Sequence, residues 1–352
     1  MTGRDPRGPR ARNKRGQAVT IDVFCGAGGM SLGLRKAGMR VVCGIEIDPL
    51  AAASYSANVG APVIREDVRA VQAHKLRSYV PRGSRLVLAV CAPCQPFSKI
   101  RRGKKSRRRE RDLLLSVMRL IRALKPDGVI VENVPQISTD KRGSVLNMFC
   151  SQLDQAGYSH CSSNLDAKHF GVPQTRRRMV LFAVRGRGRA VALPARNGVR
   201  PRTVRDTIAA LPRIKAGDAA RGLPLHRSSG LSPRNVQRIR QTPHDGGDLR
   251  DVPRRLKPPC HLRSGGFYDV YGRMRWDGPA PTLTTRCDSL SNGRFGHPEQ
   301  DRAISLLEAA LLQTFPRSCR FVGNKRAVAS QIGNAVPVEL ARALGTSLLR
   351  QL

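Results

Sequence analysis

Short apolar runs alternate with helical patterns through the first half of the chain. Runs that end at glycine, proline or acidic residues indicate buried strands at 19–24, 40–47, 61–64, 86–90, 129–131 and 179–184. Apolar residues at helical spacing predict a helix after the first strand and others at 111–124, 303–313 and 338–349. This alternation predicts an α/β fold with a doubly wound, mostly parallel sheet.

The periodicity is lost between about residues 185 and 275, where glycine, proline and arginine dominate. Few elements can be placed there, and the segment is expected to form a second, loop-rich domain. Residues 1–18 are basic and lack an apolar stretch, which indicates a disordered arm rather than a secretory signal.

Several residues with useful chemistry follow the predicted strands directly. They are the glycine turn at 25–29, Glu46, Asp67, Cys94 and Glu132. Because ligands of doubly wound sheets bind at the carboxyl ends of the strands, these residues are expected to share one site.

The charge balance points to a polyanionic partner. Lys and Arg number 63 against 25 Asp and Glu, which gives a net charge of +38. Such a charge opposes compaction unless phosphates neutralise part of it, and nucleic acid is the natural source of phosphates. Compositional drift in a GC-rich genome is the alternative, although drift does not explain clusters of charge. No apolar run approaches the ~18 residues of a membrane helix.

The nine cysteines are scattered, and only Cys91 and Cys94 form a CxxC pair. No second pair or histidine lies at zinc spacing, so no metal site is expected. An odd, unpatterned set favours reduced thiols in the cytosol. An isolated cysteine is usually buried and inert, and Cys91, at the end of an apolar strand, is expected to be a core residue. A redox pair is a further alternative, but Pro96 and the basic loop after it disfavour the helix start that such pairs have.

The turn at 22–29 lacks the GxGxxG spacing of a dinucleotide site, although its glycines allow a ligand to approach the backbone closely. Glu46 stands about 20 positions beyond the glycines, where a carboxylate accepts hydrogen bonds from ribose hydroxyls. Asp67 is a candidate for an adenine amino group. For each carboxylate the structural alternative is the N-cap of a helix.

Cys94 is the candidate nucleophile, because Pro93 stiffens its loop and the positive charge downstream favours a thiolate. Glu132 lies at the next strand end, where a protonated carboxylic acid can serve as a proton donor. Arg176 and Arg178 are two residues apart in an extended segment and are expected on one side of it, where they can hold a carbonyl and a phosphate.

Together these motifs resemble the DNA (cytosine-5) methyltransferases, in the family's order and over most of the chain outside 1–18 and about 185–260. The matching segments are Asp22 to Gly29 (the cofactor loop), Pro93-Cys94-Gln95-Pro96-Phe97-Ser98, Glu132-Asn133-Val134, Gln174-x-Arg176-x-Arg178, Pro281-Thr282-Leu283-Thr284-Thr285-Arg286 and Gly333-Asn334-Ala335-Val336-Pro337. The resemblance implies a Rossmann-like methyltransferase sheet, at 19–184 plus 320–352, and a smaller loop-rich target-recognition domain at 185–319.

The resemblance also implies roles. Cys94 would attack carbon 6 of a flipped cytosine, with Glu132, Arg176 and Arg178 as its catalytic partners. S-adenosylmethionine would be bound by Phe24, Gly26, Ala27, Gly28, Gly29, Glu46, Ile47, Asp67, Val68, Pro93, Asn334 and Val336. DNA would be bound by Gln95, Ser98, Lys99, Arg101, Arg102, Lys104, Lys105, Arg107, Thr284 and Arg286. The cations that follow Cys94, from Lys99 to Arg107, would lie in a loop that closes over the duplex; a merely solvated charge run is the alternative.

One segment departs from the family pattern: where many relatives have REAARLQ, residues 307–313 read LEAALLQ and lack both arginines. Two rival functions exist: a tRNA methyltransferase of the same fold, whose Cys-Phe-Thr tripeptide is missing here, and a catalytically inactive DNA-binding homologue. The expected protein is a cytoplasmic, nucleoid-associated prokaryotic monomer that acts on double-stranded DNA, as an orphan enzyme or beside a separate restriction endonuclease.

Overall fold

Seven β-strands form one sheet in the computed structural model, which describes residues 16–93, 104–138, 145–196, 198, 200–263 and 268–352. The strands are β1 (Ala18–Val23), β2 (Arg40–Ile45), β3 (Val63–Ile64), β4 (Arg85–Val90), β5 (Gly128–Asn133), β6 (Tyr158–Asp166) and β7 (Arg177–Arg185). Their order is β3-β2-β1-β4-β5-β7-β6.

The first five strands run parallel, whereas β7 is antiparallel to both β5 and β6. β1 lies between β2 and β4, so the chain winds outward in both directions from β1 and β4. In such sheets the crevice at this reversal of strand order is where ligands bind. The predicted doubly wound, mostly parallel sheet is confirmed.

Eleven α-helices are present in the described part of the chain. They are α1 (Gly29–Lys36), α2 (Pro49–Val59), α3 (Ala73–Arg77), α4 (Lys104–Leu124), α5 (Val145–Gln155), α6 (Val204–Ile208), α7 (Pro233–Gln241), α8 (Pro259–Arg263), α9 (Leu306–Leu312), α10 (Lys325–Asn334) and α11 (Val338–Leu349). None of the helices described is long and apolar enough to cross a membrane.

Two apolar cores cover the two faces of the sheet. On one face α4 and α5 bury residues such as Val117, Ile121 and Leu153 against the strands. On the other face α1 and α11 pack together, with Leu34 and Leu344 in one core. Helix α11 comes from the far end of the sequence, so the sheet is covered by segments from both ends of the chain.

Several elements were not predicted or begin elsewhere than predicted. Strand β6 was not predicted, because its residues are mostly half-buried or exposed and show no apolar run. Helix α4 begins at Lys104 rather than 111, within a run of cations that hides its start. No helix was placed at α2, α3, α5, α6, α7, α8 or α10. The remaining predicted strands and helices match within about three residues.

Between β7 and α9 the chain is irregular, as predicted, and has its own small core around Ile239, Leu249 and Leu290. Arg273 is fully buried there, and its guanidinium donates hydrogen bonds to the carbonyls of Thr242, Ile239, His297 and Gln300. One buried guanidinium thus replaces the backbone pairing that a regular sheet would provide. The domain limits given above remain predictions.

Candidate active site

The turn after β1 brings both ends of the sequence together. Phe24 and Gly28 have positive φ angles of 61° and 96°, and Gly28 caps α1. A Cβ atom on Gly29 would lie 2.3 Å from the carbonyl oxygen of Val336. Because no side chain fits there, only glycine lets the predicted cofactor loop, which includes Gly26 and Ala27, contact the segment after α10.

Glu46, at the end of β2, holds this turn in place. One carboxylate oxygen accepts a hydrogen bond from the backbone N–H of Gly26 at 3.0 Å, and the other accepts from that of Asp48 at 2.8 Å. Burial raises the pKa of Glu46, although these two N–H groups act in the opposite direction. Asp48, not Glu46, is the N-cap of α2, so the alternative of a structural cap does not apply to Glu46.

Four further predicted cofactor residues differ in their surroundings. Ile47 is 63% exposed, which leaves a large apolar surface uncovered beside the carboxylate. Val68 is buried, whereas the carboxylate of Asp67 accepts hydrogen bonds from the backbone N–H and the guanidinium of Arg69. Asp67 therefore caps a turn in this structure. Asn334 is exposed at the end of α10.

A buried network beneath the turn was not foreseen. Asp22 accepts a hydrogen bond from the hydroxyl of Ser31 at 2.6 Å, and that hydroxyl lies 3.0 Å from the hydroxyl of Tyr55. Burial raises the pKa of Asp22 to about 7. The network ties β1 to α1 and α2, so it supports the glycine turn from inside. Asp22 belongs to the cofactor-loop motif, but the sequence pattern predicted no role for its side chain.

The segment after β4 is fixed to its neighbours as far as Ala92. The backbone N–H of Cys91 donates to the carbonyl of Val23 at 3.1 Å, and the side-chain amide of Asn133 donates to the carbonyl of Ala92 at 3.3 Å. Pro93 is exposed and is the last residue described before the gap.

The predicted nucleophile and half of the predicted DNA contacts lie outside the described residues. These are Cys94, Gln95, Ser98, Lys99, Arg101 and Arg102. Lys104, Lys105 and Arg107 belong to the first turns of α4, but their side chains are not described. Thr284 and Arg286 are exposed beside α10.

Glu132 and Arg178, which were both predicted to belong to the active site, are in contact. β5 and β7 are adjacent, and Nε of Arg178 lies 3.0 Å from a carboxylate oxygen of Glu132. The Glu132 side chain is 7% exposed and that of Arg178 12%, so the pair is shielded from water. It stands at the end of β5, next to the strand that leads to Cys94.

Arg176 does not lie where it was expected. Its side chain is buried, and its guanidinium donates hydrogen bonds of 3.1 Å to the carbonyls of Leu283, Gly333 and Ala335. The prediction that Arg176 holds a base carbonyl or a phosphate therefore disagrees with the structure. Arg178 lies in β7, where side chains alternate between the two faces of the sheet. Arg176 precedes the strand, which begins at Arg177, so its side chain does not follow this alternation.

Two buried glutamines extend this connection. The amide of Gln174 donates to the side-chain oxygen of Gln313 at 3.0 Å and accepts from the backbone N–H of Leu283 at 3.0 Å. The amide of Gln313 in turn donates to the carbonyl of Ile332 at 2.7 Å. Three of the sequence motifs are thus joined by side-chain to backbone hydrogen bonds, which motif order alone did not reveal.

A doubly wound α/β sheet with a glycine turn, an acidic second strand end and a carboxylate at the fifth strand end defines a Rossmann-like enzyme. The family model for C-5 cytosine-specific DNA methylases matches residues 19–350. The chain belongs to this family and is a DNA (cytosine-5-)-methyltransferase, an enzyme of the S-adenosylmethionine-dependent class that acts on DNA.

Similar proteins include bacterial methylases of comparable length. The type II methylase M.HgiDII of Herpetosiphon aurantiacus is 42% identical over 339 residues, 94% of this chain and 95% of that protein. The type II methyltransferase M1.HphI of Haemophilus parahaemolyticus is 31% identical over 94% of this chain and 86% of that protein.

Solved structures show the same fold. A DNA modification methyltransferase encoded within an E. coli prophage superposes with a TM-score of 0.72 at 22% identity, over 95% of this chain and 99% of that one. The S. pombe Dnmt2 methyltransferase superposes with a TM-score of 0.66 at 17% identity, over 94% and 97% of the two chains.

Proposed function

We propose that this enzyme methylates cytosine within a specific sequence of duplex DNA, using S-adenosylmethionine and Cys94 as a covalent nucleophile. The observation that carries the proposal is the meeting of three segments at one edge of the sheet. These are the glycine turn held by Glu46, the segment pinned at Ala92 that leads to Cys94, and the Glu132–Arg178 pair.

The residues around the glycine turn fit the proposed cofactor. Each oxygen of Glu46 accepts one backbone hydrogen bond and keeps a further lone pair, which suits the two hydroxyls of a ribose. Ile47 offers an uncovered apolar surface to an adenine ring. S-adenosylmethionine, when bound, supplies the methyl group as a sulfonium electrophile.

The protein residues would prepare the base. Carbon 5 of cytosine is a weak nucleophile, so the Cys94 thiolate bonds to carbon 6 and the ring becomes an enamine. Glu132 supplies the proton that ring nitrogen 3 takes up, and Arg178 orients Glu132 through their 3.0 Å contact. After carbon 5 gains the methyl group and loses its hydrogen as a proton, the bond to Cys94 breaks, nitrogen 3 returns its proton, and the aromatic ring is restored. Because carbon 6 is unreachable in stacked DNA, the base must leave the duplex.

The type II methylases among the similar proteins support a role in a restriction-modification system. We further propose that the enzyme works as a cytoplasmic monomer on double-stranded DNA, with any cognate endonuclease acting separately. The exposed side chains of Thr284 and Arg286 are candidates for DNA contact.

The test is covalent trapping on a duplex whose target cytosine carries fluorine at carbon 5. Fluorine cannot leave as a proton does, so the adduct with Cys94 accumulates and migrates as a protein–DNA species. We expect the wild type and Cys91→Ala to form the adduct and Cys94→Ala to form none while still binding DNA. An adduct with Cys94→Ala, or with tRNA in place of the duplex, contradicts the proposal.

A further inference from the structure

The end of the sheet opposite the active site carries a row of exposed cations. The parallel strands begin here: Gly16 donates a backbone hydrogen bond to Gly83, Arg85 to Gln17, and Arg185 to Asp127. The end of α11 joins the same surface, since Arg189 donates to the carbonyl of Gln351. We call this surface the basic rim; its exposed cations are Arg82, Arg85, Arg122, Lys125, Arg185, Arg187, Arg189 and Arg350.

Few carboxylates balance these cations. Asp127 is occupied by Arg185 and by the backbone N–H of Leu86, and Asp154 lies 3.2 Å from His160. Among the described residues, no carboxylate lies within ion-pair distance of Arg82, Arg187 or Arg350. The rim therefore keeps a net positive potential that the protein itself does not neutralise.

The rim and the active site cannot share one straight duplex. Six-residue strands separate the two edges of the sheet by about 20 Å, and duplex DNA is stiff over about 150 base pairs. The duplex at Glu132 would have to turn back around the domain to reach Arg82 or Arg187. Phosphates at the rim must therefore belong to a different stretch of DNA.

We propose that the basic rim binds the phosphates of a second stretch of duplex DNA while the active site engages the first. From β4 to β7 the rim extends over two strand spacings, about 10 Å, along which a duplex presents about six phosphates. Arginine, which dominates the rim, pairs with phosphate through two parallel hydrogen bonds.

An anionic membrane fits the rim poorly. Surface binding to lipid needs apolar or aromatic side chains beside the cations. The large exposed hydrophobic residues of the described chain are Ile47, Leu50, Leu262, Tyr268 and Val322, and none of them belongs to the rim. The charge therefore favours a nucleic acid over a bilayer.

The experiment measures capture of a second duplex. A short duplex with the target site is immobilised and saturated with enzyme, and a fluorescent duplex without the site is then added at increasing salt. The test variant is Arg82→Gln/Arg187→Gln. The matched control, Lys36→Gln/Arg342→Gln, removes the same charge from the flank of α1 and α11, where Glu339 already pairs with both cations.

We expect the wild type and the control variant to capture the second duplex. In the rim variant the slope of log affinity against log salt should fall by about 2, roughly one for each phosphate that is no longer neutralised. Methyl transfer to the short duplex should be equal in all three proteins. The proposal is overturned by absence of capture in the wild type, by equal capture in the two variants, or by binding to anionic lipid vesicles in preference to DNA.

Discussion

The buried pair of Arg302 and Glu308 allows a sharp test of how the C-terminal part of the chain is stabilised. Two parallel hydrogen bonds of 2.7 Å join the guanidinium to the carboxylate, and both side chains are at most 1% exposed. His297 lies 3.8 Å from Glu308, but burial lowers its pKa to about 3, so it carries no charge at neutral pH. Arg302 is thus the charge partner that stabilises the buried carboxylate.

We predict that Arg302→Met destabilises the protein by about 4 kcal/mol, because it leaves one buried charge without its partner. For a protein of this size that corresponds to a fall of roughly 5 °C in melting temperature. Replacing both residues, as Arg302→Met/Glu308→Leu, removes the orphaned charge and should restore more than half of the loss. Some loss remains, of about 1 kcal/mol, because Glu308 also accepts a hydrogen bond from the backbone N–H of Ser305 at the start of α9.

Thermal unfolding followed by circular dichroism measures these differences. The matched control is Arg213→Met, which breaks an exposed 2.9 Å pair with Glu299 and should cost less than about 1 kcal/mol. The reasoning is refuted if Arg302→Met melts like the control. It is also refuted if the loss in the double variant equals the summed losses of Arg302→Met and Glu308→Leu.

Two further predictions concern the residues that support the active site. Gly333→Ala would place a Cβ 2.2 Å from the carbonyl oxygen of Thr284, so it should lower the stability by on the order of 2 kcal/mol and abolish most methyl transfer. The control Gly230→Ala, with no atom within 4 Å of the new Cβ, should change neither stability nor activity. Equal melting temperatures and activities of the two variants would contradict this prediction. Burial raises the pKa of Asp22 from 3.8 to about 7. The stability that its neutral form contributes is therefore complete below pH about 4 and is lost as the pH rises through about 7. The corresponding change in the free energy of unfolding is about 4 kcal/mol. Asp22→Asn, which keeps an acceptor for Ser31, should remove that part of the pH dependence of the melting temperature, and parallel pH profiles of the two proteins would be inconsistent with it.

The inner strands could be predicted because strands covered on both faces appear as continuous apolar runs, as in β1 and β4. β6 could not, since an edge strand with exposed polar residues such as Ser162 and Ser163 lacks that signal. Its position follows from pairing with β7, a long-range contact that local patterns do not contain.

The same distinction applies to the candidate site. Glu46 and Glu132 were predicted from their places after strands, because strand ends converge whatever the loops do. The direction of the Arg176 side chain depends on carbonyls more than 100 residues away, at Leu283 and Gly333, and was mispredicted. Residues 307–313 lack both arginines of the family pattern, but Arg302 comes from outside the motif to pair with Glu308, which only the folded chain reveals.

The contact between Gly29 and Val336 also has a consequence for biosynthesis. The glycine turn leaves the ribosome early, yet the backbone that closes over it lies about 300 residues later in the sequence. At elongation rates of about 5–20 residues per second the turn waits roughly 15–60 s for that partner. The enzyme therefore cannot complete its active site on the nascent chain until translation has passed Val336, and the intervening segment has time to fold before the site closes.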